Sequence, residues 1–221
     1  MSGRSRSCFS VSDDTVSHHK RIPSDVVERR MWPWESAIFA YLCYSIYVHV
    51  RHHEPPGGTA VVVAAVASVV PDLIDKPLSW QYGVFRNGYA LGHSVFVSLL
   101  VVAVAHAVAR RTSRPRLGLA FGLGFLSHNV GDALEHMNDG IWYGVKHVLW
   151  PVVVLPPDES PGFTGTVRQF LSEYRAHLVH HDFTSYFALV GVISACTLLL
   201  WAYDDFPVAR ELLTTVRRVV R

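Results

Sequence analysis

Two stretches of this chain carry no charge over the length that a bilayer demands, Asn87 through Ala109 and Phe183 through Tyr203. A helix needs about 20 predominantly apolar residues to cross a hydrocarbon core of about 30 Å. Backbone groups inside lipid must be bonded within the segment, so such stretches fold as membrane helices. Half of the 221 residues are hydrophobic and only 17% are charged, and the apolar residues fall in blocks instead of being spread through amphipathic elements. That distribution disfavours a water-soluble fold. Trp32 to Val50, interrupted only by Glu35, reads as a third helix, and the shorter runs Thr59 to Val70 and Leu117 to Gly131 as two more whose ends dip into a polar site. The expected fold class is all-α, a polytopic membrane helical bundle of about five transmembrane helices. Between the last two spans, Ile141 to Pro157 is apolar except for Lys146 and His147, and it is too short and broken to cross. It reads as a re-entrant or interfacial segment packed over the site.

Residues 1–30 are Ser-rich and charged and lack the apolar core of a secretory signal. They read as a disordered extension, or as the product of an upstream start codon with Met31 the alternative start. Residues 31–205 form the membrane-embedded domain, and 206–221 a basic amphipathic tail on the cytoplasmic leaflet. In a five-span topology Arg51, the group Arg110, Arg111, Arg114 and Arg116, and the tail arginines share one side. Positive charge in short loops marks the cytoplasm, which sets the opposite helix ends on the extracytoplasmic side of the cell membrane. The basic residues between positions 4 and 30 argue the other way, a conflict that vanishes if translation starts at Met31. The net charge is only +2, with no basic stripe interleaved with aromatics, so no nucleic-acid partner is expected. Cys8, Cys43 and Cys196 form neither a metal pair nor a disulfide framework.

Asp72, Asp75, His93, His128 and Asp132 lie in or at the ends of these apolar runs. An ionisable side chain at membrane depth costs about 2.5–3.5 kcal/mol or more unless it is paired, hydrated or metal-bound. In the five-span arrangement all five fall on one side of the membrane. His128 and Asp132, four apart, share a helical face, as do Asp72 and Asp75, three apart. Carboxylate and imidazole ligands suit a divalent ion, Zn or Mn foremost. The competing reading makes Asp72 and Asp75 interfacial residues paired with Lys76 and Arg86, and Asp132 a helix cap. Glu35 and Glu135 are the candidate general bases, although the helical direction of Glu135 and His136 suggests placement behind the ligands or at the surface. His177, His180 and His181, with Asp182 beside them, read as an interfacial helix and less readily as a second metal site. His49 and His106 read as packing residues. Gly118 and Gly122 form a GxxxG pattern that serves packing within one subunit as readily as a homo-oligomer contact.

Met31-Trp32-Pro33-Trp34, Pro71-Asp72-Leu73-Ile74-Asp75-Lys76-Pro77, Leu91-Gly92-His93-Ser94, Leu126-Ser127-His128 through Gly131-Asp132-Ala133-Leu134, and Leu149-Trp150-Pro151 occur in that order. Together they resemble the YdjM-like family of predicted membrane-bound metal-dependent hydrolases, particularly its archaeal members. The resemblance covers roughly Met31 to Tyr203. It implies a helical membrane protein with a divalent-metal hydrolase site acting on phosphoester or lipid-like substrates, with membrane lipids as its surroundings. The chain departs from the family where a His commonly follows the Trp-Pro-Trp cluster; Glu35-Ser36 stands there, so that Glu35 either supplies the missing ligand or the site is weakened. Metal-assisted hydrolysis through Asp72, Asp75, His93, His128 and Asp132 is the leading expectation. A transporter or ion-binding membrane protein using the same polar cluster is the rival, and a non-catalytic scaffold retaining a structural metal the third reading.

Overall fold

A computed structural model describes residues 33–137, 140–157, 161–180 and 185–219. Those residues contain helices and turns and no strand. Helix α1 (Pro33–His52) turns Ser36, Ala40, Tyr41, Tyr44, Ser45 and Val48 inward. Their spacing of three and four residues makes one buried stripe. Helices α2 (Gly58–Ala67) and α3 (Val70–Trp80) follow each other almost without interruption. Pro71 has no N–H to continue the ladder, so the turn closes instead through Ser68 N–H to Ala64 O (3.0 Å) and Val69 N–H to Val66 O (3.2 Å). The apolar run stops at Val70, and the helical backbone continues through α3 to Trp80, which carries Asp72 and Asp75. Gly58–Trp80 is long and apolar enough to cross a membrane, and the bent pair Ala188–Tyr203 with Pro207–Thr214 qualifies if taken as one span.

Ser94 caps α4 (Val95–Arg111) by accepting from Val97 N–H. With 17 residues α4 is about 26 Å long, short of the hydrocarbon thickness unless the preceding loop contributes. Pro115 opens α5 (Pro115–His136), where a missing N–H costs nothing. The segment over residues 141–157 contains only the short α6 (Ile141–Lys146) and continues as turns and irregular backbone. Helix α7 (Phe163–His180) packs on α3, and α8 (Ser185–Tyr203) on α1. A sharp corner then leads into α9 (Pro207–Val219).

Helix α5 is the hub and packs on α1, α2 and α4. The core it shares with α1 and α2 is built from Tyr41, Tyr44, Val48, Ala60, Val61, Ala64 and Ala120. Small side chains dominate α2 and α5 because the backbones approach closely, the packing mode of helices that cannot rely on a hydrophobic driving force in lipid. At Gly124 a Cβ would stand 2.1 Å from the Ala64 carbonyl oxygen. The Gly118 and Gly122 face touches His106, Ala109 and Val102 of α4, so the GxxxG pattern packs within the chain here.

The α8–α9 corner is held by Asp204, fully buried, which accepts from the Tyr41 hydroxyl and from Ser45 Oγ (2.6 Å) and pairs with His49 Nε2 at 2.5 Å. Asp205 and Phe206 follow with φ of 60° and 48°, a left-handed pair that persists because its surroundings fix it. One turn into α9, Glu211 accepts from Gly58 N–H (2.6 Å) and Thr59 N–H (2.9 Å) and caps α2 from another helix. Replacing Gly124 with Ala should cost about 1–3 kcal/mol by overpacking the α2–α5 contact. An unfolding titration in detergent micelles checks this; an unchanged midpoint would show that the two helices separate freely.

Candidate metal centre

Four side chains converge at the end of the bundle formed by α3, the start of α4 and the carboxyl half of α5. Asp72, His93, His128 and Asp132 each offer one ligand atom, all within 4.8 Å of one another, and all four residues are buried. His93 Nε2 lies 3.2 Å from His128 Nε2, 3.4 Å from Asp72 Oδ1 and 3.2 Å from Asp132 Oδ2. His128 Nε2 lies 3.5 Å from each of the same two carboxylate oxygens. Zinc–nitrogen and zinc–oxygen bonds of about 2.0–2.1 Å give a tetrahedron with edges of about 3.3–3.4 Å. The five separations that involve an imidazole nitrogen, 3.2 to 3.5 Å, bracket that value, and the two carboxylate oxygens lie within 4.8 Å of each other.

Local structure explains why these atoms meet. His128 and Asp132 are one helical turn apart on α5, and Asp72 sits in the first turn of α3. His93 is delivered by the loop before α4, pressed so closely on α3 that a Cβ at Gly92 would stand 2.7 Å from the Pro71 carbonyl oxygen. Asp75 fixes that loop. Its Oδ2 accepts from Ala90 N–H (2.8 Å) and His93 N–H (3.1 Å), and its Oδ1 from Gly92 N–H (2.9 Å).

The same Asp75 Oδ2 lies 2.8 Å from His93 Nδ1. An ionised carboxylate only accepts, so Nδ1 carries the proton and the Nε2 lone pair faces the cluster. Behind His128, the Ser36 hydroxyl lies 3.1 Å from Nδ1 and can hold that ring the same way. Carboxylate-to-histidine contacts of this kind orient metal-binding imidazoles and raise their basicity. With both Nε2 atoms deprotonated, two imidazole lone pairs and two carboxylate oxygens face one point, an arrangement that a cation between them relieves. Asp72 Oδ1 is buried and accepts no hydrogen bond from the protein, while its Oδ2 takes the Lys76 ammonium. The donor set thus fits a divalent ion.

Of the five ligand candidates in the sequence, the structure brings four together and sets Asp75 behind His93. Ser36, where the resemblance led a histidine to be expected, is fully buried and reaches the back of His128. The four-residue group is complete without a residue from α1. Glu35, in the first turn of α1, and Glu135, three residues after Asp132, are half-buried and outside that group. His177, His180, His181 and Asp182 lie outside the described side chains. His49, read as a packing residue, makes the Asp204 contact described above.

A second polar layer lies beside the centre, of which the sequence pointed to His136, behind the ligands or at the surface, and gave no sign of Tyr89 and His147. His136 is buried, its Nε2 3.0 Å from the Tyr89 hydroxyl, and its ring stacks on that of His147 at 3.8 Å. Tyr89 also packs edge-to-face on His93 (4.9 Å) and His147 (4.6 Å). The signal for His136 was present: it extends the His128 and Asp132 face by one more turn. His147 has no such periodic cue, because it reaches the layer from the irregular segment that follows α5.

The fold and the cluster define a helical protein whose buried two-histidine, two-aspartate group could hold a metal ion. The chain belongs to the YdjM inner membrane protein family, which matches residues 31–208 and places it in the cell membrane. No curated protein and no solved structure matches it.

Substituting Asp75 with Asn should weaken metal binding by about 10–100-fold, the usual cost of removing the group that orients a metal-binding histidine. Ser36→Ala should weaken it less, since a hydroxyl holds an imidazole less firmly than a carboxylate does. Competition with a chelating dye reads both affinities. If Asp75→Asn binds metal as tightly as the unaltered protein, the carboxylate serves the loop alone.

Proposed function

We propose that the protein is a membrane-bound metal-dependent hydrolase that acts on a phosphoester or lipid-like substrate. The observation that carries this reading is the convergence of Asp72, His93, His128 and Asp132, with their ligand atoms within 4.8 Å of one another and Asp75 and Ser36 behind the two imidazoles. A single ion suits the local charge. Asp72, Asp75 and Asp132 against Lys76 leave two negative charges, which one divalent cation neutralises. Nitrogen and oxygen ligands at these separations favour Zn, with Mn next. When bound, the ion would polarise a phosphoryl or acyl oxygen and lower the pKa of a coordinated water.

The chain's own residues supply the rest. Lys76, held against Asp72, adds a positive charge beside the ligands where an anionic substrate group would sit. Glu35 and Glu135 are the candidates for accepting a proton from water, one from the start of α1 and one from the end of α5. The burial of the cluster keeps bulk water from competing with these contacts. Five membrane crossings, with the centre at the extracytoplasmic face, fit the arginine distribution.

A transporter reading has one specific support. Along α1, Ser36, Tyr41, Ser45 and His49 form a polar line from the metal cluster toward the buried Asp204 near the far end of that helix. Metal or proton flux across vesicles that contain the purified protein would favour it.

Asp132→Asn and His128→Ala should each remove bound metal while leaving the helical content unchanged, because membrane helices satisfy their backbone internally. Metal analysis alongside circular dichroism checks this, and unchanged metal in both variants would sink the site. If one glutamate is the base, Glu35→Gln or Glu135→Gln should lower kcat about 10²–10⁴-fold with metal retained, measured in a screen of phosphoesters and phospholipids. Equal turnover in both variants would leave neither as the base.

A further inference from the structure

The metal end of the bundle carries an apolar rim that the cluster does not use. Tyr82 and Val84 in the loop after α3, and Ile141, Trp142, Val152 and Val154 in the segment over residues 141–157, are all exposed, Trp142 to 73% and Val152 to 74%. In water, so much exposed apolar surface would be unfavourable by about 25 cal/mol for each Å². The outer segment is also stapled to the start of α4 and, through Asn87, to the loop after α3. Val95 N–H donates to Val148 O (2.8 Å), Ser94 Oγ to Trp150 O (2.6 Å), and Asn87 Nδ2 to Leu155 O (2.9 Å). The rim is therefore a fixed shape.

Three features identify what covers it. The apolar surface continues from the rim along the outer face of α4 through Phe96, Leu99 and Leu100, so one medium can cover both. Tryptophan and tyrosine beside aliphatic side chains are what a membrane–water interface selects. Arg86 and Lys146 are exposed on the same two segments, within reach of anionic headgroups. The rim also connects inward, since His147 of the outer segment meets Tyr89, and Tyr89 packs on His93.

We propose that the loop over residues 82–90 and the segment over 141–157 form a collar seated in the headgroup layer of the leaflet. Through that collar the metal centre takes its substrate, a phosphate-bearing lipid, directly from the membrane. The substrate assignment rests on the hydrolase reading; the seating of the collar does not.

The test uses the full chain, with Cys8, Cys43 and Cys196 replaced by Ser, in vesicles of phosphatidylethanolamine and phosphatidylglycerol. Spin labels on Tyr82→Cys, Trp142→Cys and Val152→Cys should be relaxed more by oxygen than by a water-soluble nickel complex. A label on Ser113→Cys, at the opposite end of α4, should show the reverse. Water-like relaxation at 142 and 152 overturns the collar. In a second arm the protein is loaded with Mn²⁺, its metal content is measured, and the ³¹P relaxation of the lipid headgroups is followed. The loaded protein should speed that relaxation several-fold over the Asp132→Asn variant. Equal relaxation with metal bound overturns lipid access. Headgroup relaxation without any metal-dependent turnover removes the hydrolase reading and leaves the collar and its lipid access standing.

Discussion

Two imidazole nitrogens and two carboxylate oxygens converge on one buried point, and the metal end of this bundle is arranged around that convergence. Three of the four ligands are held in place by something other than their neighbours in the cluster. Asp75 holds His93, Ser36 contacts His128, and Lys76 holds the outer oxygen of Asp72. The ligand atoms cannot turn away without breaking those contacts, so the cluster stays assembled for a cation. Three separate elements supply the ligands, and their close approach depends on the small residues of α2 and α5 and on the tight contact of Gly92 with α3.

Much of this was legible in the sequence because ionisable residues in apolar runs are so costly that they mark themselves. The one-turn spacing of His128 and Asp132 gave a shared face that the structure keeps. Asp75 looked the same as Asp72 by that criterion, yet only one of them faces the cluster. What separates them is the set of backbone N–H groups from residues 90, 92 and 93 that surround Asp75, a contact between a helix and a loop that no periodicity reveals. Ser36 was visible as a departure from a familiar pattern, and its position behind His128 could come only from the crossing of α1 and α5. Asp204 escaped notice because it lies just past the end of α8, where acidic residues are ordinarily solvated; its three partners are spread along one face of α1.

The two ends of the bundle solve the same problem differently. At the metal end, two buried carboxylates share two imidazole nitrogens, and Asp72 Oδ1 is left without a hydrogen bond. At the far end, Asp204 is surrounded by a phenol, a hydroxyl and an imidazole, and Glu211 by the free N–H groups that open α2. Those acceptors are satisfied by the protein itself. A ligand would have to displace existing donors there, which makes that end structural and leaves the chemistry to the other. The two carboxylates also set where α9 leaves the bundle, with Leu212, Leu213 and Val216 exposed on it.

Metal binding and helix packing are consequently linked at one end only. A cation that binds the assembled cluster and has less affinity for separated helices stabilises the assembled state in proportion to the logarithm of its concentration. The gain falls on the α3, α4 and α5 contacts that carry the ligands, whereas the α1–α8 and α2–α9 contacts close without it. His93 reaches the outer segment through Tyr89 and the stacked His136 and His147 pair, so ordering the ligands also orders the ring layer beneath residues 141–157. The end of the molecule that carries the cluster is then the end whose rigidity would depend most on a bound ion, while the far end keeps the bundle together in either state.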